Sequence, residues 1–196
     1  LRARLRGGIL SRAKRGELKQ MLPVGFLYDA ADHVILDPDA QVQQAIRLFF
    51  ATFKRTGSCL AAVKAFRAQH LAFPRRIRRG PKKGELMWGE LLHCRAMQII
   101  HNPRYAGAFV FGRRRQRHGP DGKIHWRSLP REEWILIPDA HDGYITWAEY
   151  EEHEQRVHAN AASWGADRRQ GPPREGTALL QGLVICGSCG DSDELM

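Results

Sequence analysis

Residues 88–117, WGELLHCRAMQIIHNPRYAGAFVFGRRRQR, decide how the rest of the chain is read. Trp88, Leu92, Ala96, Ile99 and Ile100 recur at helical spacing and predict one apolar stripe facing a core. Glu90, His93, Cys94, Met97 and His101 occupy the opposite side of that helix. His101-Asn102-Pro103 stops it, because proline restricts the residue before it and cannot extend the hydrogen-bond ladder. Tyr105-Ala106-Gly107 turns the chain into Ala108-Phe109-Val110-Phe111, strand-like in its β-branched and aromatic content. Arg113, Arg114, Arg115 and Arg117 follow as a dense positive block. A short helix with a mixed polar face, running into a basic ribbon, suits a DNA reader. The same residues also fit a core helix beside a solvated basic loop.

Charge favours the first reading. The 196 residues carry 31 Lys and Arg against 21 Asp and Glu, a net charge of +10 with a pI near 10.0. An excess of this size selects a polyanionic partner, most often nucleic acid. No stretch approaches the roughly 20 apolar residues that span a membrane, and no apolar block follows the basic start as a secretory signal requires. Cys59 and Cys94 fall in helical patterns, and only Cys186 and Cys189 are closely spaced. So few cysteines in so long a chain argue against a disulfide framework and for a reducing cytoplasm. The sequence opens at Leu1 rather than methionine and reads as a fragment.

Around the central stretch the expected architecture is α+β: helix-turn-helix-like helices, a small β-hairpin and a truncated zinc ribbon. Residues 1–22 form a basic connector arm, with Arg4, Arg6 and Arg12 placed to meet DNA. Residues 23–160 form the DNA-binding domain, 161–178 a linker and 179–196 the start of the ribbon. Within the domain, strands near 23–28 and 34–36 flank a turn at 29–33. Asp37 is expected to cap a helix with Pro38 at its first position. Val42, Ala45, Ile46, Phe49, Phe50 and Phe53 give that helix the clearest amphipathic pattern in the chain. Gly57 ends it, Ser58 caps the next helix, and Leu60, Val63 and Phe66 form the second helix's apolar face.

Residues 73–87 are expected to be irregular, with Pro74, Gly80, Pro81 and Gly84 among Arg75, Arg76, Arg78, Arg79, Lys82 and Lys83. This long basic loop between two helices departs from the usual 3–4-residue turn. After the arginine block, 119–122 is a turn and 123–126 returns as a hairpin strand; 134–137 is a further strand. Thr146 to Glu149 forms a capping box, with Ile145 and Tyr150 placed as its staple. Glu149, Glu151, Glu152 and Glu154 suit a helix N-terminus, which accounts for them without acid–base chemistry.

The motifs LPVGF at 22–26, LDPDAQVQQAIRLFFATFKRTGS at 36–58, IIHNPRYAGAFVFGRR at 99–114, AHDGYITWAEYEEH at 140–153 and REGTALLQGLVICGSCG at 174–190 occur in order. Together they resemble the large serine recombinases, the resolvase/invertase-related enzymes of phages and mobile elements. The resemblance implies a recombinase DNA-binding domain followed by the start of a zinc β-ribbon. It places the catalytic domain and its nucleophilic serine before Leu1, so no catalytic residue is expected in this chain. It also implies double-stranded attachment-site DNA, the catalytic domain and further copies of the protein (a dimer or tetramer) as partners, in a bacterial or phage cytoplasm. Phosphate contacts then fall to the arm, to the loop at 75–83 and to Arg113–Arg117. His93, with Cys94 and Met97, is the candidate reader of base edges. Two other classes fit parts of the pattern: a stand-alone DNA-binding regulator, and a metal-dependent nuclease built from Cys186, Cys189, His93 and His118.

Cys186 and Cys189 supply two thiolates, whereas a closed structural zinc site takes four ligands. The chain through Met196 is therefore expected to hold no tightly bound zinc and to need no other cofactor. A version extended through a later cysteine pair is expected to bind one zinc per chain. Metal analysis of both proteins checks this.

Overall fold

The helix at 40–56 organises the molecule because five of its large apolar side chains point the same way. A computed structural model describes residues 2–77, 79–118, 120 and 122–162. In it the compact unit Leu1–Ala161 separates from Ala162–Met196. Residues 161–162 of the expected linker end the last helix; the rest of it, the cysteine knuckle and Arg78 lie outside the described residues, as does the side chain of Arg117.

The chain opens with α1 (Arg2–Lys14), then β1 (Phe26–Tyr28) and β2 (Val34–Leu36), which pair antiparallel as expected. The helices α2 (Ala40–Thr56) and α3 (Cys59–Ala68) follow. Next come β3 (Phe73–Arg76), β4 (Leu86–Gly89) and α4 (His93–Ile100). A 3-10 turn (Pro103–Ala106) leads to β5 (Phe109–Phe111), β6 (Arg114–His118) and β7 (Ile124–Ser128). After a second 3-10 turn (Arg131–Glu133), β8 (Ile135–Ile137) and α5 (Trp147–Ala162) complete the order. The strands pair as β1–β2, β3–β4, β5–β8 and β6–β7, all antiparallel, so the fold is α+β.

Val42, Ile46, Phe49, Phe50 and Phe53 of α2 are buried, which confirms the amphipathic pattern. Phe49 meets Phe66 of α3 and Phe73 of β3 edge-on, with ring centroids 6.4 and 5.9 Å apart. Leu91, Ala96, Ile99, Ile100 and Tyr105 join the same core. Gly57 ends α2 in the left-handed region and Ser58 caps α3, both as expected. Thr146 and Glu149 exchange the two bonds of a capping box at 3.0 and 3.2 Å.

Several expectations are corrected. The helix predicted from Trp88 begins only at His93, because residues 86–89 pair with β3 instead. Trp88 is therefore a strand residue and Leu92, 50% exposed, is the helix N-cap. Leu60 is 51% exposed, and Cys59 and Ala62 take its place on the buried face of α3. Asp39, not Asp37, caps α2, accepting from the Gln41 N–H at 2.8 Å. Residues 2–14 are a helix rather than an irregular arm: alanine, leucine, arginine and lysine are good formers and outweigh Gly7-Gly8.

Close packing explains the tight turn after α4. The Asn102 side chain caps the 3-10 turn, and Gly107 leaves it at φ 75°. A Cβ on Gly107 would lie 2.5 Å from the His141 carbonyl oxygen, and one on Gly143 would lie 2.8 Å from the Gly107 nitrogen. Only two glycines allow the backbones to approach so closely. The Gly107 carbonyl accepts from Ala140 and His141, while the Tyr105 carbonyl accepts from Tyr144 at 2.7 Å.

Phe49→Ala is expected to cost about 3–5 kcal/mol, since the ring is wholly enclosed; urea unfolding measures it. A second expectation concerns pH. His153 is buried between Phe50 and Phe53, and neither ring nitrogen has a hydrogen-bond partner among the described residues. Burial holds its pKa below the ordinary histidine value. Protons then bind more readily to the unfolded chain, so the stability is complete above about pH 6.5 and is lost as pH falls towards the folded pKa. Tm is expected to drop across that window, and to drop less in His153→Leu.

Candidate nucleic-acid interface

Basic side chains fall into two groups according to whether a carboxylate meets them. On the α5 side three cations are matched locally. Lys54 pairs with Glu149 at 3.0 Å, Arg131 with Glu151 at 3.0 Å and Arg156 with Glu152 at 3.1 Å. The predicted basic elements are otherwise arranged. Arg4, Arg6 and Arg12 of α1, Arg75 of β3, Arg79, Lys82 and Lys83 of its loop, and Arg114 and Arg127 of the β6–β7 ribbon are exposed. None of these nine has a carboxylate partner among the described residues.

The loop at 73–87, expected to be irregular, is the β3–β4 hairpin. Phe73 pairs with Gly89, Pro74 with Trp88, Arg75 with Met87 and Arg76 with Leu86. Both strands of a two-stranded sheet are edges, so Pro74 is tolerated there despite its missing N–H. Gly80 and Gly84 adopt φ 84° and 95° at the turn, in open space. Arg76 does not share the fate of its neighbours. Its guanidinium pairs with the buried Asp37 at 2.5 Å and donates to the Gly84 carbonyl at 3.1 Å. It closes the loop and moors it to the entrance of α2, and so is withdrawn from the candidate phosphate contacts.

A small cavity of about 120 Å³ shows where the moored loop sits. It is lined by Ile77, Lys83 and Gly84 of the hairpin, by Arg95 of α4 and by 21–24 of the connector. The connector is strapped down in turn. The Gln20 N–H donates to the Tyr28 hydroxyl at 2.9 Å, and Gln20 Nε2 donates to the Val110 carbonyl at 3.2 Å. On its other flank a cleft of about 300 Å³ is lined by Asn102, Arg104, Phe111 and Arg113. Hairpin loop, α4 and the start of the ribbon thus border one connector.

The predicted residues on this surface differ in what they can do. Arg113 lies over the Trp134 ring, 5.1 Å from its centroid, and burial lowers its pKa. Arg115 reaches Glu133 at 3.3 Å. His93 and Cys94 are exposed in the first turn of α4, whereas Met97 packs partly against the core and is a poor base reader. Arg104, not anticipated from sequence, is 6% exposed with its guanidinium 5.9 Å from the centroid of Phe109. Its position inside the turn that follows α4 was the available signal. Among the described residues no three His, Cys, Asp or Glu side chains gather as a metal site. The described helices include none long and apolar enough to cross a membrane.

The family model described as Recombinase matches residues 40–160, from the first turn of α2 almost to the end of α5. The chain belongs to the Recombinase family. An uncharacterized protein of Sinorhizobium fredii (strain NBRC 101917 / NGR234), y4bA/y4pH, is 49% identical over 191 residues, covering 97% of this chain. The chain spans 28% of that relative's length. Two solved structures share the fold at 13% identity, each covering 95% of the chain. One is described as the crystal structure of a LSR–DNA complex (TM-score 0.53, 46% of that chain). The other concerns the sequence requirements of the Listeria innocua prophage attP site (TM-score 0.51, 62% of that chain). These two structures thus share the fold of the Recombinase domain described here.

Asp37→Ala strands the Arg76 guanidinium and unmoors the hairpin, and is expected to cost about 3 kcal/mol. Glu90→Ala removes only the exposed pair with Arg67 and is expected to cost at most about 1 kcal/mol. Denaturant unfolding of the two variants separates them.

Proposed function

We propose that this chain is the duplex-binding part of a large serine recombinase and docks it on recombination (attachment) sites. The observation that carries this reading is the segregation of charge. The carboxylates of α5 answer Lys54, Arg131 and Arg156, while Arg4, Arg6 and Arg12 of α1, Arg75, Arg79, Lys82 and Lys83 of the hairpin and Arg114 of the ribbon have no carboxylate partner among the described residues. Such cations are suited to phosphates, whose neutralisation releases counterions and supplies most of the sequence-independent affinity. The DNA complex and the attP site named for the two structural neighbours support the same partner.

Cutting and rejoining belong, in this proposal, to a catalytic domain with a serine nucleophile elsewhere in the parent protein, acting in the cytoplasm as a dimer or tetramer. Cys186 and Cys189 contribute half the ligands of a zinc ribbon there. The residues assigned to phosphates are Arg4, Arg6, Arg12, Arg75, Arg79, Lys82, Lys83 and Arg114.

The test is a salt titration of duplex binding followed by fluorescence anisotropy. Replacing Arg75, Arg79, Lys82 and Lys83 together by alanine is expected to weaken binding to all sequences alike. The slope of log affinity against log salt should flatten by about 0.9 for each phosphate that is no longer neutralised. An unchanged slope would remove the hairpin loop from the interface.

A further inference from the structure

The β6–β7 ribbon has two unlike faces. In an antiparallel pair, residues directly opposite share a face and alternate with their neighbours along the strand. Arg114 opposes Ser128 and Gln116 opposes Trp126, so these four share one face with Ile124. Arg115 opposes Arg127 on the other face, with His125. Two like charges directly opposite destabilise a ribbon unless an anion answers them. Glu133 reaches Arg115, but no ion pair to Arg127 occurs among the described residues.

The first face is unusual for the opposite reason. Trp126 is 64% exposed and Ile124 50% exposed, on a strand whose every residue faces solvent. Neither strand, RRQRH or IHWRS, contains a carboxylate. Bare apolar side chains framed by arginines match a surface that is anionic along its rims and carries apolar and hydrogen-bonding groups within. The major groove of B-DNA is such a surface, and it admits a two-stranded ribbon. Adenine presents there an N7 acceptor and an N6 donor, which glutamine satisfies together; thymine presents a methyl group, which takes an apolar contact. Gln116 and Trp126 stand directly across from each other.

We propose that the Gln116–Trp126 face of the ribbon enters the major groove and reads A·T base pairs, with Arg114, on the same face, towards a flanking phosphate. The assignment rests on the DNA-binding reading above. It moves base recognition away from α4, an eight-residue helix whose Met97 is engaged with the core.

The experiment selects duplexes from a random library with the full chain and repeats the selection with Gln116→Ala and Trp126→Ala. Both side chains are exposed, so folding is expected to survive, and circular dichroism verifies it. The wild type should enrich a motif containing A·T pairs. Each variant should lose about tenfold preference at one of those pairs while its salt slope is unchanged. Deoxyuridine in place of thymidine at that pair should weaken the wild type but not Trp126→Ala. Identical motifs and preferences in wild type and both variants overturn the assignment alone. So does a motif that shifts only with His93→Ala or Gln98→Ala in α4, or a Trp126→Ala effect confined to self-association without DNA. Failure of the wild type to bind any duplex overturns the DNA-binding reading together with this one.

Discussion

The buried bond from the Tyr105 hydroxyl to the Val24 carbonyl, 2.9 Å long, joins segments 81 residues apart. Phe26 lies against the rings of both Tyr105 and Tyr144, and the Tyr144 hydroxyl donates to the adjacent Gly25 carbonyl at 2.7 Å. Three stretches distant in sequence are thereby locked through two phenols and one phenyl ring. The Tyr105 tip satisfies the Val24 carbonyl, the Tyr144 tip adds a second donor to the Gly25 carbonyl, which also accepts from the Asp37 N–H at 2.8 Å, and the rings fill the space between. The lock fixes where the connector meets β1 and where the chain enters β5. It therefore sets the positions of the elements that carry the exposed cations.

How far the sequence discloses this depends on the range of the interaction. The stripe of α2 was legible because helical spacing alone predicts it, and so were Ser58 and the Thr146–Glu149 box, whose partners lie three residues away. The β6–β7 ribbon was legible from its turn and strand residues. What escaped was non-local. Nothing near Trp88 reveals that residues 86–89 pair with 73–76 rather than extend α4. Asp37 satisfies every local rule for a helix cap, yet an arginine 39 residues later takes its carboxylate. The separate roles of Arg75 and Arg76, adjacent and chemically identical, follow only from that pairing.

The same distinction runs through the charged residues. Composition announces an excess of cations but not which are spent internally. α5 absorbs several through its carboxylates, and aromatic faces hold others, as Trp134 does for Arg113 and Trp147 for Arg131. Membership in the Recombinase family gives the domain its context, and the subset of cations left without carboxylates gives it a surface.

The strand pairing has a further consequence for colloidal behaviour. Each described sheet has two strands, so every described strand has an unpaired edge on which another chain can add. The longest, β6 and β7, are five residues each and would be the best templates for such growth. They are also crowded with arginine, and strand edges bearing like charge repel their own kind. Residues suited to holding a polyanion thus guard a concentrated, DNA-free solution of the protein against fibrous association. A variant stripped of these arginines would lose that guard.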